Sequence, residues 1–397
     1  MIIYTVPPMT SISRKQYTAF KASSNISIFL FLSFISIANS TAQNNTAFNF
    51  TSKVHTMTSS NLDQELKLQI YTPPNYSESS QKYPVLYVLD GQRYFLSGVA
   101  IQTAMRTPRA IPEMIVVGID THQKVRRTFF GEEKENFTNF LIKEVVPWID
   151  SNYNTNKERV IFGWEAAAYY LSTLILQKNE TFNGAILSNG GYASEAEVKA
   201  FMSDKEVYLF MANSKKDIYY INSSNAFHEV LKKNAPENLL WSYRLFNDEV
   251  HESLAHLSIY KGLKYYYHNY SSLVFEDIQQ YIELGGMAYL KSYFEGRAAR
   301  FGMDRKIDDA TKNGLIWLAW KRNNFEYFSF FMKEFKDVLT TPRYASAYWQ
   351  NRFGQFYLKH KDYKKAIHYF KKGLEQYPNS RFEKQLKEGL MSAQTKR

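Results

Sequence analysis

The sequence contains no cysteine among its 397 residues. Disulfides, thiolate nucleophiles and cysteine-ligated metal sites are therefore excluded. Its eight histidines form no His-Glu-x-x-His or other paired spacing, so the sequence predicts no metal site and no cofactor. It also contains no nucleic-acid-binding motif. Stability must come from an apolar core, and a composition that is 45% hydrophobic and 16% aromatic is sufficient to fill one.

The N-terminus has the features of an export signal. Arg14, Lys15 and Lys21 precede the apolar run ISIFLFLSFISIA at 26–38, and NSTAQ follows it. A basic segment, a short apolar segment and a small-residue cleavage site are typical of a signal peptide. A membrane-spanning helix needs about 20 apolar residues, and this run is shorter. We therefore expect no stable membrane span after signal removal.

We predict that residues 1–42 are removed as a signal peptide, with cleavage after Ala42. The long basic segment makes Met9 an alternative start of the chain. The competing interpretation of this segment is a retained anchor or a buried helix. Export of a chain without cysteine suits a bacterial periplasm or cell surface. The predicted location is therefore secreted or periplasmic.

Between residue 65 and about residue 245, β-like runs alternate with helical stretches. The first run, ELKLQIY at 65–71, alternates apolar and polar residues, which predicts a half-buried strand. The later runs are nearly continuously apolar and end in Gly, Asp or Asn, which is typical of parallel strands buried on both faces. These runs are YPVLYVLDG (83–91), MIVVGID (114–120), RVIFG (159–163), GAILSNG (184–190) and EVYLFMAN (206–213).

Amphipathic stretches at 135–152, 166–178, 194–203 and 222–234 separate these runs. The alternation predicts a doubly wound α/β domain with a mostly parallel sheet. Ligands bind such sheets outside the carboxyl ends of the strands. We therefore expect the residues that follow three of the strands to cluster in one crevice, namely Asp90-Gly91, Gly163-Trp164-Glu165 and Asn213.

After about residue 272 the β-like runs stop, and helical spacing continues to the C-terminus. The segment 351–380 resembles a tetratricopeptide helix pair, with Gly354, Ala366 and Pro378 at the expected offsets. A weaker partner at 317–335 aligns 38 residues earlier. The sequence thus predicts a helical tetratricopeptide-like domain over 273–397.

Positive charge is concentrated in this C-terminal part. Residues 275–397 contain 23 Lys and Arg against 14 Asp and Glu, which gives them +9 of the chain's net charge of +11. A basic helical surface can meet an acidic protein partner, anionic lipid or a polysaccharide. The simpler interpretation is a solvated helix face.

The stretch VIFGWEAAAYY at 160–170 raises the main question about function. An apolar run is followed by Gly163 and a helix-favouring segment, which predicts a strand that turns sharply into a helix. Many hydrolases place a nucleophilic serine at such a turn. This chain has Glu165 there.

Four segments resemble the putative esterase family of α/β hydrolases in order and spacing over about 55–272. They are YPVLYVLDGQRYF, FTNFLIKEVVPWIDSNYNTNKERVIFGWEAA, FNGAILSNGGY and FNDEVHESLAHLSIYKGLKYYY. The family includes enterobactin-type siderophore esterases, S-formylglutathione hydrolase, feruloyl esterases and mycolyltransferases. Its usual turn reads Gly-His-Ser-x-Gly-Gly, whereas this chain has GWEAAA at 163–168. The resemblance implies an α/β-hydrolase fold over 43–272 in which Glu165 replaces the serine.

The resemblance also implies roles for the neighbouring residues. His251 stands after the last strand, where the family keeps its catalytic base, and His256 is a minor competitor. Asp217 fits the order nucleophile, acid, base, and Asp248 is the alternative acid. The first oxyanion donor would be the backbone N–H of Ala166. The second would be a backbone N–H near Gly91-Gln92.

A glutamate at position 165 changes the expected chemistry. It has no hydroxyl group to deprotonate, so the serine acyl-enzyme route is closed. We expect its carboxylate to fold into the oxyanion hole, held by backbone N–H groups and by a His251 imidazolium. Ala167 and Ala168 replace the family's glycines and favour the helix over close approach at the turn.

Three functions remain open on this sequence. The leading hypothesis is a secreted pseudo-esterase that binds an ester, siderophore or glycan-like ligand, or that acts as a scaffold. The second is an active hydrolase of changed mechanism, in which Glu165 acts as nucleophile or general base and His251 as base. The third is a protein that docks partners through its helical C-terminal part.

Overall fold

A computed structural model describes residues 52–74, 76–106, 109–178 and 180–397. The predicted signal peptide, residues 1–42, lies outside these ranges and stays a prediction. No helix in the described ranges is long and apolar enough to cross a membrane.

The central element is an eight-stranded sheet with the order β1-β2-β4-β3-β5-β6-β7-β8. Strands β1 and β2 pair antiparallel, β2 and β4 pair antiparallel, and all the remaining neighbours pair parallel. This is the mostly parallel sheet predicted from the sequence. The strands are β1 (Ser52–Ser59), β2 (Gln64–Tyr71), β3 (Tyr83–Leu89), β4 (Ile115–Ile119), β5 (Thr155–Trp164), β6 (Gly184–Ser188), β7 (Val207–Ser214) and β8 (Leu239–Phe246).

Helices cover both faces of the sheet and then continue alone to the C-terminus. Those of the α/β part are α1 (Gly91–Arg106), α2 (Gln123–Phe130), α3 (Lys134–Asn139), α4 (Val146–Asn152), α5 (Ala166–Gln177), α6 (Glu195–Lys199), α7 (Ile221–Asn234) and α8 (Leu254–Tyr266). The C-terminal helices are α9 (Ile278–Glu283), α10 (Gly286–Phe301), α11 (Asp309–Lys321), α12 (Phe325–Glu334), α13 (Ala347–Lys359), α14 (Tyr363–Gln376) and α15 (Glu383–Thr395).

The central strands are apolar because both of their faces are buried. In β3 every residue is buried. Tyr87 and Leu89 join the core beneath α5 and α7, whereas Leu86 and Val88 join the core beneath α1 and α8. Two apolar layers on one sheet account for the continuous runs in the sequence.

The six predicted strands form β2 to β7, and the two edge strands, β1 and β8, add to them. Residues on the edges are largely exposed or half-buried, as in β8, where only Leu239 is buried. An edge strand therefore does not need a continuous apolar run, and the sequence signal there is weak.

The C-terminal helices pack around a third core rich in aromatic residues. The predicted pair at 351–380 appears as the neighbouring helices α13 and α14. A Cβ atom on Gly354 would lie 2.5 Å from the Phe370 ring, so the small residue permits the close approach expected from the sequence. The assignment to tetratricopeptide repeats, and the boundary at residue 273, stay predictions.

Arg300 links α10 to the α/β part. Its guanidinium lies 4.3 Å from the Tyr208 ring centroid and 4.9 Å from that of Tyr266. It also donates hydrogen bonds to the Tyr208 hydroxyl and the Tyr266 carbonyl, both at 2.9 Å. One side chain thus contacts β7, α8 and its own helix together.

Candidate active site

The turn between β5 and α5 is a strained backbone position occupied by Glu165. Its dihedral angles are φ 58° and ψ −118°, a region in which a non-glycine residue is held only at a cost of about 1–3 kcal/mol. The Glu165 N–H donates to the Ser188 carbonyl at 2.9 Å, and the Glu165 carbonyl accepts from the Tyr169 N–H at 3.0 Å. The sharp strand-to-helix turn predicted from the sequence is therefore present.

Space beneath this turn comes from the loop that follows the neighbouring strand β6. A Cβ atom on Gly190 would lie 2.5 Å from the Glu165 carbonyl oxygen and 2.9 Å from the Ala168 Cβ. Ala167 and Ala168 are both completely buried. Gly190 in the loop after β6 thus leaves room for Ala168, which stands where the family has a glycine.

The carboxylate of Glu165 is paired with Arg126 of α2. Arg126 Nη1 donates to Glu165 Oε2 at 2.6 Å, Nη2 donates to the Trp164 carbonyl at 2.6 Å, and Nε lies 2.9 Å and 3.0 Å from the two Asp90 oxygens. The side chains of Arg126 and Glu165 are 12% and 27% exposed. One guanidinium therefore joins two carboxylates and the end of β5.

This partner differs from the predicted one. The sequence led us to expect Glu165 in the oxyanion hole, held by backbone N–H groups and by His251, but the structure gives its carboxylate to Arg126. Arg126 comes from a helix 39 residues earlier in the chain. Nothing in the local sequence pattern distinguishes it from the neighbouring Arg127.

Asp90 anchors the other end of this network. It follows β3 with φ 54° and accepts a hydrogen bond from the Thr121 hydroxyl at 2.6 Å. Burial raises the pKa of Asp90 above its ordinary value, while Arg126 and Thr121 act to lower it. The pKa of Arg126 is raised, because the two carboxylates outweigh the opposing effect of burial. Arg126 and Thr121 thus oppose the effect of burial on the Asp90 carboxyl.

The predicted oxyanion donors lie at the starts of two helices. Gly91 is the first residue of α1, Gln92 follows it, and Ala166 is the first residue of α5. Backbone N–H groups in the first turn of a helix have no partner within that helix. The Gln92 side chain is fixed by a hydrogen bond from the Thr121 N–H at 3.1 Å.

His251 and Asp217 form a buried pair. Their Nδ1 and Oδ1 atoms are 3.1 Å apart, and the two residues are 8% and 1% exposed. Asp217 Oδ1 also accepts from the Tyr219 N–H at 2.9 Å. The alternative acid, Asp248, is exposed, and His256 instead contacts the Ser97 hydroxyl at 2.9 Å. The structure thus brings Asp217, and not Asp248, to His251.

The backbone of His251 is held as firmly as its ring. Its carbonyl accepts from Trp164 Nε1 at 3.0 Å and from Asn189 Nδ2 at 2.7 Å. Asn189 also accepts from the Ser214 N–H at 2.8 Å. The histidine loop is thereby tied to the ends of β5, β6 and β7. Asn213 is completely buried and does not line the cleft.

A cleft of about 540 Å³ lies at the carboxyl ends of the strands. This volume lies within the range of small-molecule sites, about 300–1,000 Å³. The described residues contain no group of His, Asp or Glu arranged to hold a metal ion. The cleft is lined by Asp90, Gln92, Arg93, His122, Arg126, Trp164, Glu165, Tyr219, His251 and Glu252.

The family model described as Putative esterase matches residues 59–273. This match covers more than half of the chain, and the chain belongs to this family.

Two curated relatives from Bacillus subtilis (strain 168) match over shorter segments. The uncharacterized protein YbbA is 24% identical over 105 residues, which are 23% of this chain. The uncharacterized protein YjcH is 33% identical over 103 residues, which are 24% of this chain. The chain spans 42% of the length of each.

Solved structures confirm the fold. An uncharacterised protein from Capnocytophaga ochracea DSM 7271 is similar over 87% of this chain and 100% of its own, with a TM-score of 0.56 and 18% identity. Because residues 1–273 make up less than 87% of the chain, the similarity extends into the C-terminal helices. An IroE-like serine hydrolase from Shewanella oneidensis is similar over 72% of this chain and 98% of its own, with a TM-score of 0.52 and 21% identity.

Proposed function

We propose that this protein is a pseudo-esterase, a member of the esterase family that binds a small ligand in its cleft without hydrolysing it. The observation that carries this proposal is the ion pair between Glu165 and Arg126 at the strand-to-helix turn. A carboxylate that already accepts a hydrogen bond from a guanidinium has that oxygen occupied, so it is a poor nucleophile until the contact breaks. The turn thus holds a satisfied charge where the family holds a reactive hydroxyl.

The route through a serine ester is closed by the residue itself. Serine catalysis needs a hydroxyl group whose proton passes to histidine as the new bond forms. Glu165 has no such proton to give. A carboxylate nucleophile would first have to leave Arg126, which would leave buried Asp90 as the one carboxylate paired with that guanidinium among the described residues. Breaking the ion pair, and leaving Arg126 with one carboxylate partner fewer, both oppose attack by Glu165 on a substrate.

The cleft remains suitable for a ligand of the kind that esterases recognise. The similar structure from Shewanella oneidensis is described as an IroE-like serine hydrolase. An ester, a siderophore or a glycan-like molecule fits the mixed polar and aromatic lining. Because Arg126 already neutralises Glu165, a hydroxyl-bearing group is favoured there over a cationic one.

We place the protein outside the cytoplasm. The support is the sequence of residues 1–42, which has the basic, apolar and small-residue segments of a signal peptide. The proposed mature chain is therefore 43–397, in a bacterial periplasm or secreted. N-terminal sequencing of the protein recovered from cell fractions tests this, and a cytoplasmic chain that keeps residues 1–42 would contradict it.

A second function, hydrolysis by a changed mechanism, is favoured by the buried His251–Asp217 pair. This pair has the contacts that orient an imidazole as a general base. In that case Glu165 would act as nucleophile or general base after a substrate had displaced Arg126.

Hydrolysis of p-nitrophenyl esters by the purified chain separates these two functions. Wild-type protein, Glu165→Ser and His251→Ala are assayed together. Activity that appears only in Glu165→Ser is expected for the pseudo-esterase, since this change restores a hydroxyl beside His251. Wild-type hydrolysis that disappears in both variants would instead establish the changed mechanism.

A third function, docking of an acidic protein through the C-terminal helices, is favoured by one cationic pocket. Lys321, Arg352 and Lys359 line it together with Trp320, and none of its described lining residues is acidic. Arg352 lies 4.7 Å from the Trp320 ring centroid. Full-length protein with all three cations changed to glutamate is expected to lose any acidic partner that the wild type retains on a column. Equal retention by both proteins would reject this docking site.

A further inference from the structure

Arg93 is a cation of the cleft that has no counter-charge among the residues that the structure describes. It is exposed on the first turn of α1, and its guanidinium lies 4.5 Å from the Trp164 ring centroid and 5.1 Å from that of Tyr94. Among the described residues no carboxylate lies within ion-pair distance of it. Arginine stacked on an aromatic ring loses little of its freedom when it binds an anion, because the stack already orients it.

The other arginine of the cleft shows the contrast. Arg126 also lies near Trp164, with its guanidinium 5.2 Å from the ring centroid. Its donors already serve Asp90, Glu165 and the Trp164 carbonyl. The two guanidiniums thus share one indole, but all three nitrogens of Arg126 already donate to the protein, whereas the Arg93 guanidinium donates to no described residue.

Groups near Arg93 suit the rest of a small molecule. Trp164 lies 4.9 Å from the His251 ring, and Tyr219 lies 5.0 Å from the same ring, measured between centroids. Because His251 uses Nδ1 to contact Asp217, its Nε2 is the nitrogen left for a ligand. Aromatic walls and one ring nitrogen therefore lie in the same cleft as an unpaired guanidinium.

We propose that Arg93 and Trp164 form a carboxylate subsite, so that the cleft binds a small organic carboxylate in preference to the neutral ester. This inference rests on the proposed function, because it requires that the cleft retains a ligand. A planar carboxylate matches the fork of donors on a guanidinium. The bound form would thus be the free acid, which is the product class of ester hydrolysis.

Glu252 limits where the carboxylate can lie. It also lines the cleft, it is exposed, and within the described ranges it forms no ion pair. A ligand carboxylate is repelled by it and attracted by Arg93, so removal of each charge should act in opposite directions. A purely structural role of Arg93 in packing Trp164 predicts no such opposition.

Calorimetric binding of benzoate and methyl benzoate to the full chain tests the subsite. Arg93→Gln is expected to weaken benzoate binding by about ten to a hundredfold and to leave methyl benzoate binding unchanged. Arg93→Lys keeps the charge but loses the planar fork of donors, so its affinity for benzoate should lie between that of the wild type and that of Arg93→Gln. Glu252→Gln should tighten benzoate binding. Arg109→Gln, an exposed arginine that does not line the cleft, is the matched control.

Two results would overturn the subsite. One is benzoate binding that is equal in wild type and Arg93→Gln, and the other is absence of benzoate binding to the wild type. Failure of the proposed function is seen separately, as conversion of methyl benzoate to benzoate by the wild-type protein in the same samples. Melting temperatures of all variants show whether a loss of binding reflects a loss of folding.

Discussion

The two halves of the cleft differ in what they keep of esterase chemistry. In the histidine half, Asp217 and His251 are buried and 3.1 Å apart, as a catalytic base and its orienting acid would be. In the other half, at the turn between β5 and α5, Arg126 joins Glu165 to Asp90, and the residue at the turn has no hydroxyl group. The comparison teaches that a nucleophile position can be filled by an internal ion pair while the opposite half keeps its geometry.

The side chains of His251 and Glu165 are held by different contacts. His251 is held by Asn189, Trp164 and Asp217, and none of these contacts involves the side chain at position 165. Glu165 is held by Arg126 from a different helix. Trp164 is the residue common to both halves, because its carbonyl accepts from Arg126 and its indole N–H donates to the His251 carbonyl. A change of the side chain at position 165 alone therefore removes none of the hydrogen bonds that hold His251.

The largest expected effect is on stability, from the substitution Arg126→Ala. It leaves the carboxylate of Asp90, whose side chain is 3% exposed, without its counter-charge. Breaking a buried ion pair by removing one partner costs about 3–5 kcal/mol. Urea unfolding measures this loss. Arg127→Ala, at the exposed neighbouring position, should change stability by less than about 0.5 kcal/mol, and equal losses in the two variants would contradict the role of Arg126.

The same variant has a predictable pH dependence. Burial already raises the pKa of Asp90, and Arg126 opposes that rise. Without Arg126 the folded-state pKa rises further, so the folded protein takes up a proton at a higher pH than the unfolded chain does. The stability penalty of Arg126→Ala is thus greatest above that raised pKa and should shrink as the pH falls through it. A penalty that is constant from pH 7 to pH 4 would show that charge is not its cause.

A smaller but more informative effect is expected on activity from Glu165→Ser. If the histidine half is intact, general-base assistance by His251 should raise p-nitrophenyl butyrate hydrolysis about 10²-fold or more over the wild type. The double variant Glu165→Ser with His251→Ala is the control and should return to the wild-type rate. Equal rates in the single and double variants would mean that the histidine half takes no part.

The contribution of Asp217 should be smaller again. In the Glu165→Ser background, Asp217→Asn should lower the rate by at least about tenfold, because the amide can hold His251 in the wrong tautomer. Asp248→Asn changes the exposed alternative acid and serves as the matched control. A greater loss in the Asp248 variant would reverse the assignment.

The smallest expected effect comes from Glu165→Gln. The amide can still accept a hydrogen bond from Arg126, and the site is partly exposed, so a loss of about 1 kcal/mol or less is expected in urea unfolding. Glu252→Gln, which breaks no ion pair in the described part of the chain, should leave stability unchanged. A loss near that of Arg126→Ala would place the main charge contact at Glu165 and not at Asp90.

The sequence could predict those features that depend on local patterns. Continuous apolar runs predict strands β3 to β7, because both of their faces are buried, and the alternation of apolar and polar residues predicts the half-buried strand β2. Gly163 before a helix-favouring stretch predicts the turn at Glu165. The exposed edges β1 and β8 carry no such pattern. The similarity of the sequence to esterases placed His251 before the last helix of the α/β part.

Contacts between distant segments could not be predicted. Arg126 and Glu165 are 39 residues apart, and the residues around Arg126 show no feature that marks it as a partner. Asp217 and Asp248 both precede His251 in loops, and only the path of each loop decides which reaches the imidazole. The sequence therefore indicates the region of the site and the residue types, while the charge pairing depends on the tertiary fold.

The stacking of Arg300 on Tyr208 and Tyr266 has a consequence for unfolding. The guanidinium joins α10 to the sheet by ring contacts and by hydrogen bonds to a side chain and to the backbone. If the C-terminal helices separated from the sheet, Arg300 would lose its contacts with the rings of Tyr208 and Tyr266, and these two tyrosines would become exposed. Melting of either part thus weakens the other, and the C-terminal helices and the α/β part should unfold as one cooperative unit.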